Sequence, residues 1–311
     1  FINTKDGSIE VIKSLSATGP DVEIFGFTSN FNGTFDLVGD AATTGQIAVA
    51  PGSGYTVSED DPTANGWVNT GASCGNGNDP LTDITVEPGE DVVCTFTNTP
   101  LGSAVVIKET VGGNGEFGFT GDAPIGIFSL DTTDQFTAST EDLFDYILTA
   151  GIYEVQEVVI PDGWALTEIG CDNGSLTDLE TATAAMDVQL AETVTCTFTN
   201  TKDGTLIIRK ETIPDSSAQA FTFTGDASGD IRDFSEWGDE LSVSGQPGVY
   251  SSAEDVPGGW ALTNISCVGQ VSSAITIGQG TPDFEPGDTN VEVDLAAGET
   301  VICTFENTAQ G

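Results

Sequence analysis

Histidine is absent from the 311-residue sequence, and lysine and arginine together number seven against 49 acidic residues. The missing histidine excludes a Ser-His or Cys-His nucleophile pair and an imidazole metal site. A formal net charge of −42 argues against binding to nucleic-acid phosphates or to an anionic membrane surface. The sequence also lacks an apolar run of the roughly 18 residues that a membrane-spanning helix needs. We therefore expect no nucleic-acid partner and no membrane insertion within this segment.

The amino-acid composition is that of a folded extracellular β protein. Hydrophobic residues make up 38% of the chain and include 17 phenylalanines, which is too apolar for a disordered acidic tail. The 38 glycines and 13 prolines favour many short strands joined by turns over long helices. Six cysteines in a polar chain indicate disulfides, and therefore an extracellular or cell-surface location.

Internal repetition is the strongest signal in the sequence. A closing motif occurs three times, as VVCTFTNT (92–99), VTCTFTNT (194–201) and VICTFENT (301–308). An opening motif also occurs three times, as GSIEVIK (7–13), GSAVVIK (102–108) and GTLIIRK (204–210). The repetition predicts three tandem domains, and the very short linkers between them favour a rod. The domains, called the first, second and third repeats below, are assigned to residues 5–100, 101–202 and 203–311.

The repeated motifs have the alternation of β-strands. In the closing motif of the second repeat, Val194, Cys196 and Phe198 alternate with threonines, so the strand has one apolar and one threonine face. Short runs of this kind, bounded by glycine, proline, asparagine and aspartate, are typical of a β-sandwich. We therefore predict an all-β chain of three β-sandwich domains.

One lysine, one glutamate and one asparagine of each repeat are in phase with the apolar residues of their strands. Lys13 shares a strand face with Ile9 and Val11, and Asn98 shares one with Phe96. Burying an isolated ammonium or carboxylate costs several kcal/mol, so we expect the three side chains of a repeat to compensate one another. These residues are Lys13, Glu59 and Asn98 in the first repeat, Lys108, Glu157 and Asn200 in the second, and Lys210, Glu254 and Asn307 in the third.

Two interpretations of these side chains stay open. The first is a buried Lys–Glu ion pair with asparagine as a hydrogen-bond partner. The second is a covalent Lys–Asn isopeptide bond, for which burial makes both the amine and the carboxyl neutral. The amine then attacks the carboxamide carbon, while the glutamic acid hydrogen-bonds the carboxamide oxygen, carries protons and helps ammonia to leave. Lysines at strand edges also often extend their ammonium groups to solvent, which weakens the covalent interpretation.

The order GSIEVIK, then YTVSE and a Gly-Trp pair, then TFTNT, resembles the Cna B-type, or SpaA-like, repeat domains of bacterial surface pilins and adhesins. Matching motifs in all three repeats extend the resemblance over the whole chain. It implies a Greek-key, prealbumin-like (immunoglobulin-like) sandwich of about seven strands. It also implies isopeptide bonds between Lys13 and Asn98, Lys108 and Asn200, and Lys210 and Asn307, assisted by Glu59, Glu157 and Glu254.

Two features depart from the family pattern. The third repeat reads YSSAE, with Ser252 where an apolar residue is expected, so we expect Glu254 to be the least securely placed of the three glutamates. Paired cysteines are also not typical of those pilin domains.

Each repeat contains two cysteines at matching positions. The first follows the repeated tryptophan by seven residues, and the second lies four residues before the repeated asparagine. Six cysteines allow 15 pairings, and the repetition favours pairing within each repeat. We predict the disulfides Cys74–Cys94, Cys171–Cys196 and Cys267–Cys303, with free buried thiols as the alternative.

No cofactor and no metal site is expected from the repeated motifs. Acidic loops at 76–83, 172–178 and 226–230 could hold Ca²⁺ through oxygen ligands, but none has EF-hand spacing. Aspartates in exposed turns are the commoner explanation of such loops.

The first four residues, Phe1, Ile2, Asn3 and Thr4, match the end of a repeat rather than its beginning. We expect them to be the orphan closing strand of a preceding repeat in a longer array. Alternatively, they could extend a sheet in a neighbouring subunit and give a head-to-tail polymer. Asn3 occupies the position of the reactive asparagine, so such a joint could also be cross-linked.

Together these patterns predict an extracellular structural protein, a segment of a cell-surface fibre, filament or stalk. Its only chemistry would be the autocatalytic formation of isopeptide bonds, so we do not expect an enzyme. Two other classes stay open. One is an adhesin that binds a glycan or a host protein, which a large exposed aromatic patch would favour. The other is the accessory repeat array of a secreted enzyme.

Overall fold

The structure, a computed structural model, describes residues 4–19, 23–133, 137–139, 147–215 and 217–311. Within these ranges the regular secondary structure is β-strand, apart from one 3-10 turn at Thr63–Asn65 and one short helix, α1, at Phe234–Trp237. None of the helical residues in these ranges forms a segment long and apolar enough to cross a membrane. The prediction of an all-β chain is confirmed.

The described residues of the first repeat form nine strands in three sheets. They are β1 (Gly7–Leu15), β2 (Ile24–Ser29), β3 (Gly33–Val38), β4 (Ile47–Val49), β5 (Gly52–Tyr55), β6 (Val57–Glu59), β7 (Trp67–Cys74), β8 (Ile84–Val86) and β9 (Asp91–Pro100). The largest sheet has the order β4-β1-β9-β7, a second has the order β3-β2-β6, and β5 pairs with β8. The opening strand β1 and the closing strand β9 are thus neighbours in the middle of one sheet.

In the second repeat, the described residues form ten strands in two sheets. They are β10 (Gly102–Val111), β11 (Glu116–Gly121), β12 (Gly126–Asp131), β13 (Thr137–Ser139), β14 (Ile147–Leu148), β15 (Gly151–Val159), β16 (Trp164–Cys171), β17 (Leu176–Asp178), β18 (Thr183–Val188) and β19 (Thr193–Lys202). One sheet has the order β13-β10-β19-β16, with β14 also paired to β10, and the other has the order β12-β11-β15-β18-β17. The opening and closing strands, β10 and β19, are again central neighbours.

The third repeat has the same plan, with nine strands in its described part. They are β20 (Gly204–Ile213), β21 (Phe221–Gly225), β22 (Gly229–Ile231), β23 (Glu240–Gly245), β24 (Gly248–Asp255), β25 (Trp260–Val268), β26 (Ala274–Ile277), β27 (Asn290–Leu295) and β28 (Thr300–Ala309). Its sheets have the orders β23-β20-β28-β25 and β22-β21-β24-β27-β26.

The opening strand lies parallel to the closing strand in the first and third repeats. Lys13 on β1 is opposite Phe96 on β9, and Lys210 on β20 is opposite Phe305 on β28. Parallel neighbours need a long crossover connection, and here the remaining strands of the repeat supply it. The first and last strands of such a repeat are therefore held side by side in one sheet, with the beginning of the first strand and the end of the last strand at opposite ends of the pair.

Aromatic side chains from the repeated motifs build a similar core in every repeat. In the first repeat Phe25 packs edge-on against Trp67 with ring centroids 5.7 Å apart, and Phe27 packs edge-on against Phe96 at 5.2 Å. Edge-to-face pairs stabilise a fold beyond the area that they bury. The corresponding pairs are Phe117–Trp164 and Phe119–Phe198 in the second repeat, and Phe221–Trp260 and Phe223–Phe305 in the third.

The described parts of the chain group into two compact units. The first unit comprises Phe1–Val105, Phe144–Tyr153 and Ala185–Thr195, and the second comprises Val106–Leu143, Glu154–Ala184 and Cys196–Gly311. The division passes through strands β10 and β19, so the two units do not coincide with the three repeats of the sequence.

Candidate functional site

Three strands of each repeat direct one lysine, one glutamate and one asparagine into the interior. The lysines lie on the opening strands, the asparagines on the closing strands, and all six of these side chains belong to residues that are 0% exposed. The glutamates lie on β6, β15 and β24. Each group, called a triad below, faces the core because strand side chains alternate and these residues share the apolar phase. The triads are Lys13–Glu59–Asn98, Lys108–Glu157–Asn200 and Lys210–Glu254–Asn307.

In the third repeat the lysine contacts the carboxamide directly. Nζ of Lys210 donates to Oδ1 of Asn307 at 2.9 Å and to the Phe305 carbonyl at 2.7 Å. Nδ2 of Asn307 donates to Oε1 of Glu254, whose Oε2 lies 3.7 Å from the lysine Nζ. The carboxamide is thus held between the amine and the carboxyl.

The second repeat repeats this geometry with a looser glutamate. Nζ of Lys108 donates to Oδ1 of Asn200 at 2.7 Å and to the Phe198 carbonyl at 2.8 Å. Oε1 of Glu157 lies 3.6 Å from the lysine Nζ. Among the described residues, neither carboxyl oxygen of Glu157 has a hydrogen-bond partner.

The first repeat arranges its triad differently. Nζ of Lys13 donates to the Phe96 carbonyl at 3.0 Å and lies 3.3 Å from Oε1 of Glu59. Nδ2 of Asn98 donates to the same Oε1 at 2.9 Å, and Oδ1 of Asn98 has no hydrogen-bond partner in the described part of the chain. A second carboxamide, that of Asn69, donates to Oε2 of Glu59 at 2.5 Å. Glu59 therefore accepts from two amides, and it links the amine to the carboxamide.

Asn69 is the site residue that the sequence interpretation missed. It lies two residues after the repeated tryptophan, where the other repeats have Leu166 and Leu262. The asparagine differs visibly from the leucines of the other repeats. The alternation of apolar and polar residues along the strand, however, does not reveal that it contacts the glutamate. That contact depends on a bulge in β7, where the pairing with β9 shifts between Asn69 and Gly71.

Burial changes the protonation chemistry of the triads. Removal from water lowers the pKa of Lys108 and of Lys210 to about 8, and it lowers the pKa of Lys13 as well. The same desolvation raises the pKa of Glu157 and that of Glu254, against the opposing attraction of the neighbouring lysines. Both shifts favour the pair of neutral groups that an attacking amine requires.

Models of the SpaA-type prealbumin-like fold domain match this sequence three times. One matches residues 104–202 and 206–309, and a second matches residues 9–96. The chain belongs to the SpaA-type prealbumin-like domain family. Prealbumin-like domains therefore follow one another in tandem along the chain.

Several solved structures are similar to this SpaA-type chain at low sequence identity. The TIE protein of Bacillus anthracis is 14% identical, with a TM-score of 0.41, and the match covers 99% of this chain and 51% of that one. The major pilin BcpA of Bacillus cereus is 10% identical, with a TM-score of 0.41 and coverage of 98% and 100%. The major pilin of Streptococcus pyogenes is 14% identical, with a TM-score of 0.28 and coverage of 68% and 99%.

The SpaA-type chain spans about half the length of the Bacillus anthracis protein. No curated protein matches its sequence.

The orientation of the carboxamide in the third SpaA-type repeat differs from the expectation stated above. We expected the glutamic acid to hydrogen-bond the carboxamide oxygen, but Oδ1 of Asn307 accepts from Lys210 and Nδ2 faces Glu254. The reason is that an ammonium can only donate, so it takes the oxygen side of the amide. Glu254 therefore lies beside the nitrogen that would leave as ammonia, which suits the role of a proton donor.

The expectation that Glu254 is the least securely placed glutamate is wrong. Ser252 is 1% exposed, and its hydroxyl donates to the Ala227 carbonyl at 2.8 Å, so the polar residue is accommodated in the interior. Glu254 is 5% exposed and Glu157 is 3% exposed, whereas Glu59 is half-buried as a residue although its side chain is only 3% exposed. The exceptional triad is that of the first repeat.

Three disulfides join the closing strand of each repeat to the adjacent antiparallel strand. In all three cases the two cysteines lie directly opposite each other in the pairing register. These are the pairs that the repetition singles out, and all six cysteines take part. The bonds are Cys74–Cys94, Cys171–Cys196 and Cys267–Cys303, with S–S distances of 2.02, 2.00 and 2.00 Å.

The acidic loops suggested for Ca²⁺ gain no support as a metal site. Within the described ranges, no group of three or more cysteine, aspartate and glutamate side chains is arranged to hold a metal ion. In the first of these loops, Asp79 accepts hydrogen bonds from the Leu81 amide and the Thr82 hydroxyl, which is the ordinary use of aspartate in a turn.

The lysine pKa gives a pH prediction for a chain that cannot cross-link its second repeat, Asn200→Ala. Lys108 has a pKa of about 8 when folded and 10.5 as the ordinary value, so the unfolded chain binds more protons between these pH values. Stability therefore rises with pH in that window, on the order of 3 kcal/mol in total. Hydrogen exchange of second-repeat amides measures this rise. The control is the double variant with Asn200→Ala and Lys108→Met, whose stability should not rise in this pH window. If the stability of Asn200→Ala alone stays constant across the window, the prediction is contradicted.

Proposed function

We propose that this chain is a segment of an extracellular structural protein, built from tandem SpaA-type domains that form part of a surface filament, fibre or stalk. The domains correspond to residues 5–100, 101–202 and 203–311. Membership of the SpaA-type family supports this proposal, because the resemblance of this chain to such domains implies a pilin or adhesin at a bacterial surface. The three disulfides are suited to an oxidising compartment outside the cytosol.

The observation that carries the proposal is a buried triad placed between the first and last strands of each repeat. Lys108 and Asn200 are separated by 92 residues in sequence, yet Nζ and Oδ1 are 2.7 Å apart. Lys210 and Asn307 are separated by 97 residues and have the corresponding atoms 2.9 Å apart. A covalent bond at these positions would carry tension from one end of a domain to the other.

The reaction that we propose is autocatalytic and occurs once per repeat. The ammonium of Lys108 passes a proton to Glu157, and the neutral amine attacks Cγ of Asn200. The Nζ–Cγ bond forms and the Cγ–Nδ2 bond breaks. Glu157 gives its proton to Nδ2, which leaves as ammonia, and takes up the proton that Nζ loses on becoming an amide nitrogen. The fold supplies proximity, which can contribute about 7–11 kcal/mol to lowering such a barrier. The chemistry is self-directed, so the chain would not be an enzyme that turns over substrate.

Glu157→Gln is the variant that tests this reaction most specifically. Glutamine keeps the shape of the side chain but cannot accept the lysine proton, so we expect the second repeat to lose its cross-link. Tandem mass spectrometry of reduced, proteolysed protein would show a branched Lys108–Asn200 peptide only in the parent chain. The third repeat should keep its Lys210–Asn307 peptide in the same sample.

Glu168→Gln, which changes an exposed residue of the second repeat, is the matched control and should leave both branched peptides intact. Retention of the Lys108–Asn200 peptide in Glu157→Gln would contradict the assisting role of Glu157.

Head-to-tail self-association is the partner arrangement that we propose. The sequence of Phe1–Thr4 supports it, since it repeats the end of a domain; residues 1–3 lie outside the described residues. A ladder of multimers on a reducing, denaturing gel would support a covalent joint through Asn3. Monomer alone would contradict that joint.

A further inference from the structure

The first repeat has a second carboxamide at its triad, that of Asn69. The bulge in β7 orients this side chain toward the triad. Asn69 lies directly opposite Asn98 in the antiparallel pair β7–β9. Its Oδ1 accepts a hydrogen bond from the Gly71 amide at 3.1 Å across the bulge. This contact leaves Nδ2 to donate to Oε2 of Glu59 at 2.5 Å.

The other two repeats have an apolar side chain at this position. Leu166 lies opposite Asn200 and Leu262 lies opposite Asn307, each beside the same kind of bulge. A leucine gives the carboxyl no donor. Accordingly, within the described chain, both oxygens of Glu157 and Oε2 of Glu254 have no hydrogen-bond partner.

This difference bears on the proton transfer that must precede attack by the amine. A protonated carboxyl has to donate a hydrogen bond from one of its oxygens. Both oxygens of Glu59 already face amide N–H groups, those of Asn98 and Asn69, and an N–H group cannot accept. A proton arriving from Lys13 would therefore displace one of these hydrogen bonds. In the described part of the other repeats, a carboxyl oxygen has no hydrogen-bond partner and can receive the proton.

We propose that Asn69 is a positioning residue that holds Glu59 as a hydrogen-bond acceptor and so delays the Lys13–Asn98 cross-link. The first repeat then closes after the second and third. The bond that forms joins Nζ of Lys13 to Cγ of Asn98, and the Cγ–Nδ2 bond breaks. Glu59 gives the proton received from Lys13 to Nδ2, which leaves as ammonia, and takes up the second proton that Nζ loses. This inference rests on the proposed function, because it concerns the rate of the same reaction. Its consequence is that newly folded protein has one extensible domain beside two closed ones.

The starting material is denatured full chain whose mass shows that it is unlinked. It is refolded from denaturant under oxidising conditions, and cross-linking is followed in each repeat. Samples are quenched in acid at intervals, reduced and proteolysed, and the three branched peptides are quantified by mass spectrometry. We expect the first repeat to close about tenfold more slowly than the others, as the loss of one hydrogen bond to a charged group implies. Asn69→Leu should remove most of that delay, while Leu166→Asn should slow the second repeat only.

Each variant carries its own folding control, because the unaltered repeats in the same molecule should close at their usual rates. Asn69→Ala provides a second replacement if leucine at the exposed bulge impairs folding. A purely structural role for Asn69 predicts slower closure on substitution, whereas we expect faster closure. Equal rates in the three parent repeats, or an unchanged first-repeat rate in Asn69→Leu and Asn69→Ala, would overturn the inference and leave the proposed function intact. Absence of all three branched peptides would overturn both.

Discussion

Replacing Lys108 by methionine is expected to lower the free energy of unfolding of the second repeat by about 4–5 kcal/mol. The substitution leaves Glu157 in the interior, 3% exposed, without its cationic partner. Breaking a buried pair in this way costs about 3–5 kcal/mol. In the cross-linked chain, where Lys108 is an amide and no ion pair exists, the loss is instead that of a bond whose loop of 92 residues restricts the unfolded chain, about 4–5 kcal/mol. Hydrogen exchange measured repeat by repeat would locate the loss in the second repeat.

Two further variants separate the causes of this destabilisation. Lys5→Met changes an exposed lysine and should alter stability by less than about 0.5 kcal/mol. Adding Glu157→Leu to Lys108→Met removes the unpaired carboxyl and should restore part of the stability, although the cross-link stays absent. If Lys108→Met unfolds at the same denaturant concentration as the parent chain, neither the ion pair nor the bond contributes to stability.

Pulling on the two ends of the chain is expected to leave the second repeat unextended, whereas Asn200→Ala should extend by about 320 Å under reducing conditions. The force enters near Lys108 and leaves near Asn200, and a bond between them would exclude the intervening 92 residues from extension. With the disulfide closed, the released length should be shorter, because Cys171 and Cys196 enclose 25 residues. Single-molecule force spectroscopy measures these lengths directly.

Asn173→Ala serves as the control for this experiment, because it changes an exposed asparagine of the same repeat and keeps the triad. It should behave like the parent chain. A parent chain whose second repeat releases the same length as Asn200→Ala would show that no covalent bond bridges the two strands.

Much of the site could be predicted from sequence because strand periodicity determines which side chains face the core. Lys13, Lys108 and Lys210 share the phase of the apolar residues, and all three are 0% exposed. The three repeats also constrain one another, since a residue that recurs in all of them at one position has a common environment. The disulfide pairs could be predicted for the same reason, because both cysteines recur at matching positions in all three repeats.

The arrangement within each triad could not be predicted, because it depends on geometry that periodicity does not contain. The contact of Asn69 with Glu59 requires a bulge in β7, and the sequence gives no clear sign of its place. The direction of the Asn307 carboxamide depends on whether the amine or the carboxyl faces its oxygen. The buried serine of the third repeat was misjudged because its acceptor, the Ala227 carbonyl, lies on another part of the chain.

The intact mass of the chain tests most directly whether the buried lysines and asparagines are joined. The protein should be fully reduced and denatured before measurement, so that disulfides do not change the mass. We expect a deficit of about 17 Da for each closed repeat, corresponding to one ammonia, and three such losses in fully matured protein. A mass equal to that calculated for the unlinked chain would show that they are not joined.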